Sequence, residues 1–270
     1  MTELLRRRWL VVLIAAWGLL LLTLGLAVGY GGAGSAAEQG DIAEARAPVD
    51  ATAVELVNAV GSTAAVRVWP YQLLAECRIT LVRGGVEYHR RIELFTRPGT
   101  ERALLTNLAQ RLPKGYQAET YAGDDGARLA GQADGFVKLV GKTTRRGVVT
   151  VDLRTGCRPE AGPVTDLRVS PTRAERLRLA GVLELAGVTD RGARWRTGEI
   201  DCGESVVRSV RLAVRDVPAR PLQDSAELVP PDARVLLGGE RLLAYRQGAV
   251  SVVVEVRGER LWVTSTSATC

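Results

Sequence analysis

Four cysteines stand at 77, 157, 202 and 270, and their spacing bears on three kinds of chemistry. Thiol–disulfide exchange uses a Cys-x-x-Cys pair, in which one thiol attacks and its neighbour resolves; the chain has none. Zinc needs four clustered ligands, and the single histidine is His89. Oxidation to structural bridges remains, the ordinary fate of an even set of cysteines outside a reducing compartment. Four cysteines allow three pairings.

Other groups able to do chemistry are sparse. His89 lies in Glu87-Tyr88-His89-Arg90-Arg91 with an acid nearby, as a general base would. No nucleophile accompanies it, and the two arginines beside it predict a solvated strand or turn. Asp124-Asp125-Gly126 pairs two carboxylates, but Ala127, Arg128 and Leu129 follow where a calcium loop needs more oxygens. A plain turn is expected there. Gly29-Tyr30-Gly31-Gly32-Ala33-Gly34 spells G-x-G-x-x-G, yet a flexible tether follows it instead of the helix of a βαβ unit. Lys142, Arg145 and Arg146 crowd one hairpin tip and could grip a phosphate or an acidic partner; a merely solvated loop is the plainer reading. No phosphate loop, nucleophile elbow or metal motif occurs, so no catalytic residue, metal or cofactor is expected.

The element that places all of this is near the start. Trp9 to Val28 is twenty residues without a charge, preceded by Arg6, Arg7 and Arg8. As a helix it would span about 30 Å, the thickness of a bilayer's hydrocarbon core. The arginines favour the cytoplasmic side, so the bulk of the chain is expected outside the membrane. The alternative is a secretory signal cleaved near Ala36, but its apolar core would be shorter, about 7–15 residues. Trp9 and Tyr30 fit the two interfaces of a retained span. The expected organisation is a cytoplasmic stub at 1–8, a transmembrane helix at 9–30, a Gly/Ala/Ser-rich tether at 31–50, and two α+β units at 51–160 and 170–270. Eight cytoplasmic residues are too few for a kinase, a cyclase or a DNA-binding head.

The two units read as copies. Trp69 precedes Cys77 by eight residues, and Trp195 precedes Cys202 by seven. Each cysteine is followed by an arginine-bearing strand, then a helical candidate, a Pro-containing turn (Leu112-Pro113-Lys114 against Val229-Pro230-Pro231-Asp232), a hairpin and a closing cysteine. Residues 148–157 align without gaps on residues 261–270. Helices are predicted over Val54–Val60, over Glu101–Arg111 with Thr100 as cap, and over Thr172–Ala186 with Gly187 as stop. Hairpins are predicted across Lys142–Arg146 and across Arg257-Gly258. The repeat selects Cys77–Cys157 and Cys202–Cys270 as the bridges, one inside each unit. Trp69 and Trp195 are expected to plug the cores of their own units.

Arginine outnumbers lysine 33 to 3, a usage typical of high-GC bacterial genomes. The formal charge of +6 includes +2 from the cytoplasmic stub. The rest is spread thinly, without the clustered stripe and interleaved aromatics of a nucleic-acid surface. The leading functional expectation is a non-enzymatic accessory or scaffold of the cell envelope, with another membrane or envelope protein as partner. A ligand-binding module working with a membrane partner comes second, and an exported hydrolase last.

Overall fold

In the computed structural model, the described residues are Trp9, Leu13, 15–23 and 40–270, less 81, 125, 163, 165–168, 190–191, 204–205, 216–221, 223–227 and 269–270. The chain divides into two compact units, Met1–Gln39 and Gly40–Cys270. In the first, residues 15–23 are helical, with Leu19 to Leu22 exposed. Among the described residues no helix is long and apolar enough to cross a membrane. Much of the expected span at 9–30, and the glycine motif at Gly29–Gly34, lie outside the described residues.

The second unit is α+β with antiparallel sheets. Helix α1 (Arg46–Val60) opens it, inside the stretch read as tether. Ile42, Ala45, Val49, Ala53 and Leu56 recur at helical spacing and are fully buried, so folded structure begins well before residue 51. Strands β1 (Ala65–Val68), β2 (Gln72–Arg78) and β3 (Gly84–Phe95) follow, then α2 (Glu101–Arg111), β4 (Glu119–Gly123), β5 (Gly126–Ala133), β6 (Val137–Arg145) and β7 (Val148–Arg154). They form one sheet in the order β1-β3-β7-β6-β5-β4, with β2 also on β3. Strands β1 and β2 share one edge of β3 end to end. Pro70, which has no N–H to donate, stands at the break between them. Helices α1 and α2 cover one face through Leu56, Leu105 and Leu108, against Ile92, Leu94, Leu139 and Val151. Helix α2 has the predicted bounds, but Thr100 makes no side-chain cap bond; its hydroxyl donates to the Arg97 carbonyl instead.

Helix α3 (Arg173–Leu185) precedes the second sheet. Thr172, expected as the first helical residue, instead caps the helix in a reciprocal box with Glu175, while Gly187 follows at φ +66° as the predicted stop. Strands β8 (Arg194–Asp201), β9 (Val206–Val214), β10 (Arg234–Leu237), β11 (Leu242–Gln247), β12 (Val250–Arg257) and β13 (Arg260–Ala268) pair in the order β10-β11-β12-β13-β9-β8. Leu179, Val182 and Leu183 of α3 cover one face, over Leu212, Val254 and Val263.

The other faces of the two sheets meet. Ala65, Phe95 and Val148 of the first sheet pack on Leu236, Leu237, Ala244 and Val253 of the second. Beside this apolar patch runs a buried ionic network. Arg67 on β1 is 2% exposed; its Nε and Nη2 lie 2.6 and 2.5 Å from Glu93 Oε2, and its Nη1 donates to Glu255 Oε2 at 2.9 Å. The second oxygen of Glu255 accepts from Arg145 at 3.0 Å and lies 2.9 Å from Arg257. Burial alone would raise the pKa of Glu255, but Arg67 and Arg145 hold it below the ordinary range.

Cys77, at the end of edge strand β2, is bonded to Cys157, just past β7, across 80 residues of chain. In the chain-entropy view closing such a loop stabilises the fold by up to about 4 kcal/mol. Cys202 is also disulfide-bonded, while Cys270, its partner in the sequence reading, lies outside the described residues.

Removing one member of a buried pair strands the other charge. Replacing Glu255 by Gln should therefore cost about 3–5 kcal/mol in denaturant unfolding. The same change at exposed Glu240 should cost almost nothing.

Candidate anionic-partner site

Strands β6 and β7 form the predicted basic hairpin, somewhat longer than expected, with the turn at Arg146-Gly147. Gly147 has φ +79°, and a Cβ there would come within 2.6 Å of the Leu237 side chain. Only glycine permits both the turn and this close approach to β10. Glu101, the first residue of α2, accepts the Gly147 N–H at 2.5 Å and fixes the turn from the other side. Partial burial opposes ionisation of Glu101, but bonds from the N–H groups of Gly147 and Gly99 and the nearby Arg146 hold its pKa below the usual range. The hairpin is thus a rigid mount.

It carries its cations in two ways. Register in the β6–β7 ladder shifts between Thr143 and Arg145, a bulge that re-aims the strand end. Arg145 consequently reaches Glu255 on the second sheet and is tied into the junction. Lys142 and Arg146 stay exposed, with no carboxylate within 4 Å among the described residues. Lys142 stands directly across from Arg128 on β5. Together with Thr143, Thr144 and Arg145 these side chains line an open concavity of about 510 Å³. Of the three predicted contact residues, two are offered outward and Arg145 is largely structural. Arg128 is an addition. Its signal was available in the sequence, because the hairpin register that faces Lys142 outward places Arg128 beside it.

Other singled-out residues lie apart from this face. His89 is 5% exposed, which corrects the expectation of a solvated position. Its Nε2 is 3.3 Å from Gln72 Oε1 and its Nδ1 is 3.4 Å from Asp152 Oδ1; Asp152 also accepts from Arg91 at 2.8 Å. The cluster binds β2, β3 and β7 together. Asp124 sits in the turn between β4 and β5, and Asp125 lies outside the described residues. Trp195 packs with the core under α3, as expected. Trp69 does not plug a core: it is half-buried at the junction, donates to Glu93 Oε2 at 2.8 Å, and stacks against Arg67 and Arg211. On the opposite face of β3, Arg90 is fully buried beside Asp50 of α1 at 3.1 Å and over the Tyr71 ring at 4.1 Å.

The pH response of the His89 cluster has a definite sign. Burial alone would raise the Asp152 pKa, but contacts from His89 and Arg91 bring it from 3.8 to about 2. A carboxylate depressed in the folded state contributes stability above its unfolded pKa and loses it as pH falls through the folded value. Acid unfolding between pH 4 and about 2 should carry this contribution. An Asp152→Asn variant should flatten the stability–pH curve across that window and be less stable above it.

No protein-family model matches the chain, and no curated protein sequence does. Among solved structures, the crystal structure of a DUF4853 family protein from Actinomyces odontolyticus is similar, at 14% identity, covering 64% of this chain and 94% of that one. The TM-score is 0.34, a level from which neither fold nor function is carried across.

Proposed function

We propose that this chain is a membrane-tethered, extracytoplasmic, non-enzymatic module that contacts an anionic surface of another envelope component through its basic hairpin. The observation that carries this reading is the rigid outward presentation of Lys142 and Arg146 on a turn fixed by Glu101 and Gly147. Cations held on a stiff mount lose little conformational freedom on binding, so their attraction appears as affinity and on-rate. The Cys77–Cys157 bridge supports an oxidising location. The apolar run at 9–28 and its arginine flank support a retained anchor with the N-terminus inside.

The same reading takes the folded unit as an internal duplication, with one disulfide per copy. Its support is the strand order: β2-β3-β7-β6-β5-β4 in the first sheet corresponds to β8-β9-β13-β12-β11-β10 in the second, each preceded by a helix. Cys77 and Cys202 fall at the ends of corresponding edge strands. A second functional reading, a ligand-binding module working with a membrane partner, draws on the same concavity, whose volume would accept a small anionic ligand.

Two measurements test the proposal. Protease added to intact spheroplasts should digest the bulk of the chain, and protection would reverse the orientation. Crosslinking and co-purification from detergent-solubilised membranes should recover a partner, and Lys142→Glu with Arg146→Glu should cut that recovery at least about tenfold with Tm unchanged. A chain that purifies alone, or a double variant that keeps its partner, would refute the scaffold reading.

A further inference from the structure

A second cationic feature lies inside the junction, away from the hairpin face. Arg211 on β9 has its guanidinium carbon 4.1 Å from the Trp69 ring and 5.2 Å from the Trp262 ring. The charges that act on it are Arg67, Arg196 and Arg257, opposed by Glu93. Burial first, then Arg67 and Arg196, lower its pKa to about 10, so it remains a cation at neutral pH. Among the described residues no carboxylate lies within 4 Å of it. Glu93, the acid that acts on it, is committed to Arg67 and Trp69.

Against this excess of positive charge lies a cavity of about 30 Å³, lined by Arg67, Trp69, Arg196, Ser209, Arg211 and Thr264. Thr264 is 2% exposed, and its buried Oγ1 has no hydrogen-bond partner. A buried hydroxyl left unpaired costs on the order of 1–3 kcal/mol, so a donor without an acceptor calls for an explanation. The register supplies one. Arg196 pairs with Arg211, and Arg211 with Thr264, so three donors stand in one row across β8, β9 and β13. Ser209 is satisfied separately by Thr266 at 3.0 Å.

We propose that this cavity binds one small monovalent anion of about the size of chloride, held by the guanidiniums of Arg211 and Arg196 and by the Thr264 hydroxyl. Size selects the class. The volume corresponds to about two water molecules, too little for a sulfate, a phosphate or a sugar acid. Charge selects the sign, because a water would pair Thr264 and leave the Arg211 guanidinium without a counter-charge within 4 Å among the described residues. The anion would lock β9 and β13 against β1, and so stabilise the seam between the sheets.

The test uses the full chain in mild detergent, with sodium chloride, bromide and gluconate compared at matched ionic strength. Chloride and bromide should raise Tm saturably by roughly 2–6 °C, and gluconate should not. Bromide should also quench tryptophan fluorescence saturably, because Trp69 and Trp262 flank the site. Thr264→Val keeps the strand's shape and removes the hydroxyl; Arg196→Gln alters an exposed position. Each should weaken the apparent halide affinity at least about tenfold while the fold persists. Equal Tm rises in all three salts would reduce the effect to screening and overturn the site. So would the absence of any halide response, or unchanged halide affinity in both variants.

Discussion

The architecture depends on one buried cation. Arg67 sits on the short strand β1 with Glu93 of its own sheet on one side and Glu255 of the other sheet on the other. Phe95 and Trp69 each lie 5.1 Å from its guanidinium, so its faces as well as its edges are occupied. Burying a guanidinium is expensive unless nearly every donor finds an acceptor, and here the acceptors come from both sheets. A docking that covered Arg67 without bringing Glu255 to it would leave a desolvated charge half-paired. The requirement therefore acts on geometry more than on stability: it selects the one docking arrangement in which Glu255 reaches β1.

The second carboxylate oxygen extends that constraint to the surface. Glu255 also receives Arg145, which arrives from the tip of the β6–β7 hairpin because the bulge turns it inward. The face that presents Lys142 and Arg146 is thus anchored through Arg145 and Glu255 to the centre of the junction, and through Gly147 to Glu101 and Leu237. Arginine suits this work because its planar fork can serve two acceptors at once and its faces can stack on rings. In a chain with so little lysine, the chemically distinct cation at the hairpin is Lys142.

What the sequence made legible divides along the same line. Helix α2 could be read from its apolar stripe and Pro113, helix α3 from its apolar residues and the stop at Gly187, and the hairpins from alternation on either side of Lys142–Arg146 and Arg257-Gly258. The Cys77–Cys157 pairing followed from the recurrence of pattern. The junction did not follow. Alternation tells which face of a strand a residue takes, not what is laid over that face. Arg67, Glu93, Arg211 and Glu255 occupy the sheet faces opposite their helices, where a charge reads as solvated until a second sheet covers it. His89 was misread because Gln72 and Asp152 of neighbouring strands, and not solvent, surround its ring. A signal was present in Glu255, a lone acid within Val252-Val253-Val254-Glu255-Val256, since a charge inside a strand buried on both faces must find partners.

The two sheets also differ in a way that bears on how they stack. Among the described residues, every strand of the second sheet has a counterpart in the first, whereas β1 has none in the second. Strand β1 carries Arg67 and leads directly into Trp69, and it lies on β11, β12 and β13 of the other sheet. Two sheets of identical strand order would have offered two equivalent faces and two equivalent ways to stack. The additional strand β1 on one sheet, bearing a cation whose acceptors are divided between both, breaks that equivalence and leaves one arrangement favoured. The two tryptophans differ accordingly: Trp195 lies in the core of its own sheet, while Trp69, between β1 and Pro70, is part of the seam.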